Sequence, residues 1–231
     1  MAQQPVSKAD KQPYSLSLTP KLHSTGHSPY SGVYLNHDPN LEIGLSFKYK
    51  QMGGFITKNL DFVDVHSPVN YTSIGVYKSF QLSESFKIMP YVGYFFGQSH
   101  SFRDDNSDMW SGVVMQLKVN PWLTLDNTAL FGNLIKHHTH ASVANRVNAT
   151  ALVGKFKLDA YVWYAHSLRA PHFVSASLAI TSPDWVITPS ISARVQVAML
   201  QQIANKTPEG AIYRGALMSL IIPIDLSTTR D

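Results

Sequence analysis

Residues 41 to 50 alternate strictly. Leu41, Ile43, Leu45, Phe47 and Tyr49 fall on one face; Glu42, Gly44, Ser46, Lys48 and Lys50 fall on the other. The same period of two recurs along the chain. Phe86, Ile88, Val92, Tyr94 and Phe96 alternate with Lys87, Met89, Tyr91, Gly93 and Phe95. Met109, Val113, Met115, Leu117 and Val119 alternate with Trp110, Gly112, Val114, Gln116 and Lys118. Over 156–164, Phe156, Leu158, Ala160, Val162 and Tyr164 oppose Lys157, Asp159, Tyr161 and Trp163. Over 185–199 the apolar set starts at Trp185 and Ile187 and ends at Val195, Val197 and Met199, against Ser190, Ser192, Arg194 and Gln196. A final segment carries Met218, Leu220, Ile222 and Ile224 on one face. A period of two marks a strand whose faces meet different surroundings. Soluble strands average about five or six residues, whereas these run to about ten, enough to cross the ~25 Å apolar band of a membrane barrel at ~3.3 Å per residue.

The connections carry a second pattern. Short turns fall at Ser83-Glu84-Ser85, Asn120-Pro121, Gly154-Lys155 and Ser182-Pro183-Asp184, and longer polar loops fall at 99–108, 135–142, 167–171 and 200–210. Short and long alternate, as periplasmic turns and extracellular loops do in outer-membrane barrels. Extending the alternation backwards predicts strands near 53–63, 69–82 and 14–24, with an outer loop to about residue 39. The count is twelve. An even count puts both termini at the short-turn end, and parity argues against a further strand over 30–36. Pro90, Pro189 and Pro223 fall inside these strands and cannot donate to a ladder, so bulges or strand ends are expected there.

Composition narrows the picture. Charged residues make up 15%, below the ~25% of an ordinary soluble domain. No run approaches the ~18 apolar residues of a membrane helix, so insertion must use strands in a closed barrel. The absence of cysteine excludes disulfides, thiolate metal sites and cysteine nucleophiles. The net charge of +4 is scattered rather than concentrated in a basic run, so nucleic acid is not an expected partner. The expected partners are outer-membrane lipid and a small solute. The first residues carry no charged and apolar leader, so a removed leader with Ala2-Gln3-Gln4 as the mature end is expected. Trp185, Phe86 and Phe156 sit on apolar faces beside turns, where an interfacial girdle belongs. Inward Tyr91, Phe95, Trp110, Tyr161 and Trp163 either fill the lumen or stack on sugar rings; filling is the reading taken, and it implies a narrow or plugged pore.

Together the alternation, girdle aromatics and turn pattern resemble small monomeric bacterial outer-membrane β-barrel proteins, over residues 14–225. That group includes narrow oligosaccharide channels, phospholipases, lipid A modifying enzymes and barrels of unknown role. The resemblance is architectural and implies an all-β transmembrane antiparallel barrel of about twelve strands in the bacterial outer membrane. Both termini would be periplasmic, residues 1–13 forming an N-terminal segment and 226–231 a tail. Fold alone does not choose among these functions.

Two sets of residues could carry chemistry. In this topology all ten histidines lie at the extracellular end. His66, His100, His137, His138, His140, His166 and His172 are candidate ligands for a divalent transition metal, since imidazole binds such ions through a neutral nitrogen. Asp64, Asp104, Asp105 or Asp108 could complete the set; the competing reading, and the favoured one, is that histidine is simply a polar residue tolerated at the membrane rim. His140 and Ser142 share a strand face and are the weak candidates for a serine–histidine hydrolase, though no Gly-x-Ser-x-Gly element is present. No catalytic residue is assigned, and an enzyme is the less favoured reading. The second set is basic. Lys48, Lys50, Lys87, Lys118 and Lys157 project to the polar face near the periplasmic end, with Arg146 and Arg194 higher up. Asp126 and Asp159, with Glu42 and Asp61, oppose them. A positive lumen favours anions, unless the lysines pair with those acids. Lys78 falls on the apolar face and is expected to snorkel.

The expected function is a narrow passive channel for small anionic solutes with a histidine-rich mouth. The alternatives are a closed barrel acting at its outer rim, as a lipid-directed hydrolase or a metal-binding surface protein, and a structural or assembly partner. A soluble ligand-binding barrel is the rival fold.

Overall fold

A computed structural model describes residues 14–25, 27–28, 33–34, 37–64, 70–96, 107–135, 142–167, 173–205 and 214–227. Among them twelve strands make up the wall. They are β1 (Tyr14–His23), β2 (Asn40–Tyr49), β3 (Met52–Asp61), β4 (Thr72–Lys78), β5 (Phe86–Phe96) and β6 (Asp108–Asn120). They continue as β7 (Leu123–Gly132), β8 (Ser142–Val153), β9 (Phe156–Ser167), β10 (Phe173–Thr181), β11 (Ile191–Asn205) and β12 (Arg214–Ile221). Each pairs antiparallel with its neighbour in sequence, and β12 pairs with β1, which closes the sheet. Closure leaves no unpaired edge, the condition for placing strands in lipid.

The tight turns 50–51, 82–85, 121–122 and 154–155 and the connection 182–190 lie at one end of the barrel, the short-turn end, and the opposite strand ends, such as His23, Asn40, Asp61, Thr72, Gly132 and Ser142, lie at the other. The first central residue of two tight turns takes a left-handed backbone, φ 52° at Lys50 and 61° at Gly154. Such turns match the twist of the strands they join. In the long segment after β1, His27–Ser28 pairs with Val33–Tyr34 as a small separate hairpin, so no thirteenth wall strand arises.

Prolines mark where the wall is interrupted, for the reason that they lack an N–H. Pro90 stays within β5, but the β4 ladder lapses beside it, resuming at Phe80–Gln81. Pro223 ends β12, and the chain rejoins β1 at Ile224–Asp225. Pro20 lies opposite that gap; Ile222 N–H donates to its carbonyl at 3.0 Å, and no N–H returns the bond. Pro189 requires a correction. The strand expected over 185–199 is two, Trp185–Thr188 and the start of β11, with the chain reversing at 189–190 so that Trp185 pairs Ala193. Proline preorganises the second position of a turn, which overrides the alternation on either side.

Faces follow the alternation elsewhere. Ile56, Val76, Val147, Val162, Leu178 and Met199 form an exposed apolar band outside. Tyr14, Phe47, Tyr49, Trp122, Phe156 and Trp185 ring it at the short-turn end, and Phe62, Phe131 and Tyr164 at the other. Lys78 is on the outer face with its ammonium 5.0 Å over the Phe80 ring, the snorkelling geometry expected of it. This is the surface of a barrel that spans a membrane. Inside, one side of the wall packs tightly: Tyr161, Ala179, Ala198 and Leu217 form a buried cluster.

Candidate functional site

The register decides which charges share the lumen. Lys48, Lys87, Lys118 and Lys157 all fall on inward positions near the short turns. Lys157 pairs with buried Asp159 at 3.0 Å, and Thr150 donates to the same carboxylate at 2.6 Å. Further pairs join Lys21 to Glu42 at 2.5 Å and Arg194 to Asp184 at 3.4 Å. Asp126 accepts from Gln116 Nε2 at 2.7 Å and from Asn148 Nδ2 at 3.2 Å. Among the described residues, Lys48, Lys87 and Lys118 enter no ion pair. Three unpaired ammonium groups against the one unpaired carboxylate of Asp126 leave the described inner wall at this end with a net positive charge.

Arg146 lies further in, on β8. Its Nη2 donates to Thr128 Oγ1 at 3.1 Å, and its guanidinium carbon stands 5.8 Å from the Tyr161 ring and 6.0 Å from the Trp163 ring. A planar cation held between a hydroxyl and two aromatic faces keeps a fixed orientation. It borders a cavity of about 410 Å³. Phe55, Tyr77, Tyr91, Trp110 and Trp163 supply its aromatic walls, and Met89, Val114 and Leu130 supply aliphatic ones. Phe55 and Trp110 meet at 5.9 Å although β3 and β6 are not adjacent, and Tyr91 meets Trp110 edge-on at 5.0 Å. Inward Tyr91, Trp110, Tyr161 and Trp163 stand where the alternation puts them. Tyr91, Trp110 and Trp163 border the cavity, and Tyr161 is buried in the packed cluster of the wall. The sequence reading missed Phe55, Tyr77 and Thr128; the signal for the first two is the register, which pairs each with a glycine.

Two basic candidates need correction. Lys50 is not on the polar face. It occupies the β2–β3 turn, with its ammonium 5.2 Å over the outward Tyr49 ring. Its left-handed backbone ends the alternation one residue early. Arg194 is not higher up the lumen; because β11 begins at Ile191, it sits near the short-turn end beside Asp184.

Of the metal candidates, His66, His100, His137, His138, His140 and His172 lie outside the described residues, as do Asp104 and Asp105. His166 falls on the outer face of β9, in step with Val162 and Tyr164, and so does not converge with a lumen-facing set. Buried Asp108 caps backbone, accepting from the N–H groups of Met109 at 2.5 Å and Ile135 at 2.9 Å. Asp64 is exposed, and its N–H donates to Asp61 at 3.1 Å. Among the described residues no cluster suited to a metal ion forms. Ser142 opens β8; its proposed partner His140 is outside the described residues.

The barrel closure instead assembles a different group. His23 Nδ1 lies 2.8 Å from Ser219 Oγ, and His23 Nε2 lies 3.8 Å from Glu42. The connectivity is that of a serine–histidine–carboxylate relay. Ser219 has no exposed surface, however, and Lys21 already neutralises Glu42, so the group ties β1, β2 and β12 together.

The sequence matches no family model and no curated protein. Its architecture does match solved structures. A structure of the NanC porin superposes with a TM-score of 0.61 at 9% identity, covering 91% of this chain and all of that one. The KdgM porin gives 0.59 at 8% identity over 90% of this chain and 98% of that one. The fold is that of outer-membrane porins. The COG4313 outer membrane channel from Pseudomonas putida F1 gives 0.54 at 7% identity, covering 98% of this chain and all of that one. At such identities the likeness is one of architecture, and function must be argued from the lumen.

Proposed function

We propose that this chain is a narrow passive channel of the bacterial outer membrane that favours small anionic solutes. Its short-turn end faces the periplasm, following the usual asymmetry of such barrels. The reading is supported by the fold shared with porins and by the apolar outer band between aromatic girdles. The observation that carries anion preference is the inner wall at the short-turn end, where Lys48, Lys87 and Lys118 lack carboxylate partners among the described residues. At about 0.1 M salt the field of each ammonium reaches ~10 Å, so charges on the wall of a narrow lumen act on any ion within it.

Single-channel recording of the refolded protein in a bilayer under a potassium chloride gradient tests this. Discrete conductance with a chloride-directed reversal potential is the expected result. A closed barrel gives no conductance from folded protein, and a cation-directed potential removes the role given to the lysines.

A further inference from the structure

We propose that the aromatic cavity around Arg146 is a binding site for small organic anions with a hydrocarbon body, aromatic carboxylates being the class that fits. The proposal rests on the channel reading for access to the cavity from solution.

The cavity's chemistry is divided. At about 410 Å³ it is large enough for a small ligand, since such sites span ~300–1,000 Å³. Phe55, Trp110, Trp163, Met89, Val114 and Leu130 offer it carbon surface. Its polar groups are few: the hydroxyls of Tyr77, Tyr91 and Thr128, the indole N–H groups of Trp110 and Trp163, and the Arg146 guanidinium, the one charged group of the described lining. A guanidinium presents parallel N–H donors that match the two oxygens of a carboxylate. Thr128, Tyr161 and Trp163 hold this one in place before a ligand arrives.

Three ligand classes can be compared on this geometry. A neutral hydrocarbon would gain apolar burial but would shield the guanidinium from water without replacing its hydration. A hydrophilic anion such as a sugar acid would meet the guanidinium, yet most of its hydroxyls would face Phe55, Trp110, Met89 and Leu130 and lose hydrogen bonds to water. An aromatic carboxylate satisfies both halves, its ring against carbon and its charge at Arg146. The lysines at the short-turn end raise the local concentration of all anions alike, so the cavity sets the distinction among them.

The test titrates the full chain, folded in detergent, with phenylacetate, glucuronate and phenethyl alcohol while following tryptophan fluorescence. Trp110 and Trp163 line the cavity, whereas Trp122 and Trp185 are exposed on the outside. Saturable quenching by phenylacetate is expected, with the other two compounds needing about tenfold higher concentrations or more, the equivalent of one lost contact set. Arg146→Gln should weaken phenylacetate by about tenfold or more, and Arg146→Lys should restore part of it, because lysine keeps the charge without the fork. Val114→Trp leaves the charge in place and fills the cavity; it should abolish the saturable signal, which guards against misfolding of the arginine variant. Equal affinity for glucuronate overturns the proposal, as does unchanged phenylacetate binding in Val114→Trp. Reversal potential in potassium chloride alone is measured on the same preparation. An anion-selective pore that does not bind phenylacetate overturns the cavity proposal and leaves the channel standing. Binding without conductance supports the cavity and overturns the channel.

Discussion

Trp110 lies across Gly93, the residue directly opposite it on the neighbouring strand. A Cβ on Gly93 would stand 2.5 Å from the indole Cζ2 and 2.4 Å from the Ile74 carbonyl oxygen. The arrangement repeats in direct cross-strand pairs: Tyr91 on Gly112, Phe55 on Gly75 and Tyr77 on Gly53. Each glycine lets a ring lie down along the wall instead of standing into the lumen. That is how a barrel with so many inward aromatics keeps a cavity.

Gly93→Ala should therefore destabilise the barrel by about 1–3 kcal/mol, because a backbone carbonyl and a ring must both move. Gly44→Ala is the matched control: its nearest neighbour would be the Thr19 carbonyl at 3.7 Å, an ordinary contact. Urea titration of folding into detergent micelles compares them, and similar midpoints for the two variants would remove the steric role assigned to Gly93.

The lysines separate by face. Replacing Lys48, Lys87 and Lys118 together with glutamine should move the reversal potential toward zero, and the difference from the parent should shrink near 1 M salt, where screening acts within ~3 Å. Lys50→Gly should leave the potential where it is, since that side chain lies over outward Tyr49. It should also stabilise the turn by about 1 kcal/mol, because glycine adopts the left-handed backbone without penalty.

Asn127 and Asn145 face lipid, yet they exchange amide hydrogen bonds of 3.1 and 3.2 Å across β7 and β8. Changing either one alone to leucine strands its partner and should cost about 1–3 kcal/mol. Changing both should cost far less, or nothing. A double-mutant cycle in lipid vesicles measures the difference, and additive losses would show that the pair does not act as a unit.

Ser219→Ala should lower stability by about 1 kcal/mol through loss of the His23 contact. It should leave ester hydrolysis at the background rate, because the serine is enclosed. Hydrolysis by the parent chain that disappears in this variant would reopen the enzymatic reading.

The strand count and most of the inward and outward sets were legible in the chain. Lipid outside and a wet lumen inside impose a strict two-residue rhythm, and each strand shows it locally: Lys87, Gln116 and Asp126 point in, Val92, Met115 and Leu125 point out. What the rhythm does not contain is the partner. The alternation runs through Pro189 without a break, and only pairing of Trp185 with Ala193 shows that the chain reverses there. His23 meets Ser219 because β1 closes on β12, and Phe55 reaches Trp110 because the wall curves between β3 and β6. A face is a property of one strand and can be read along it. A register, a closure and a cavity are properties of strands far apart in sequence, and packing in three dimensions decides them.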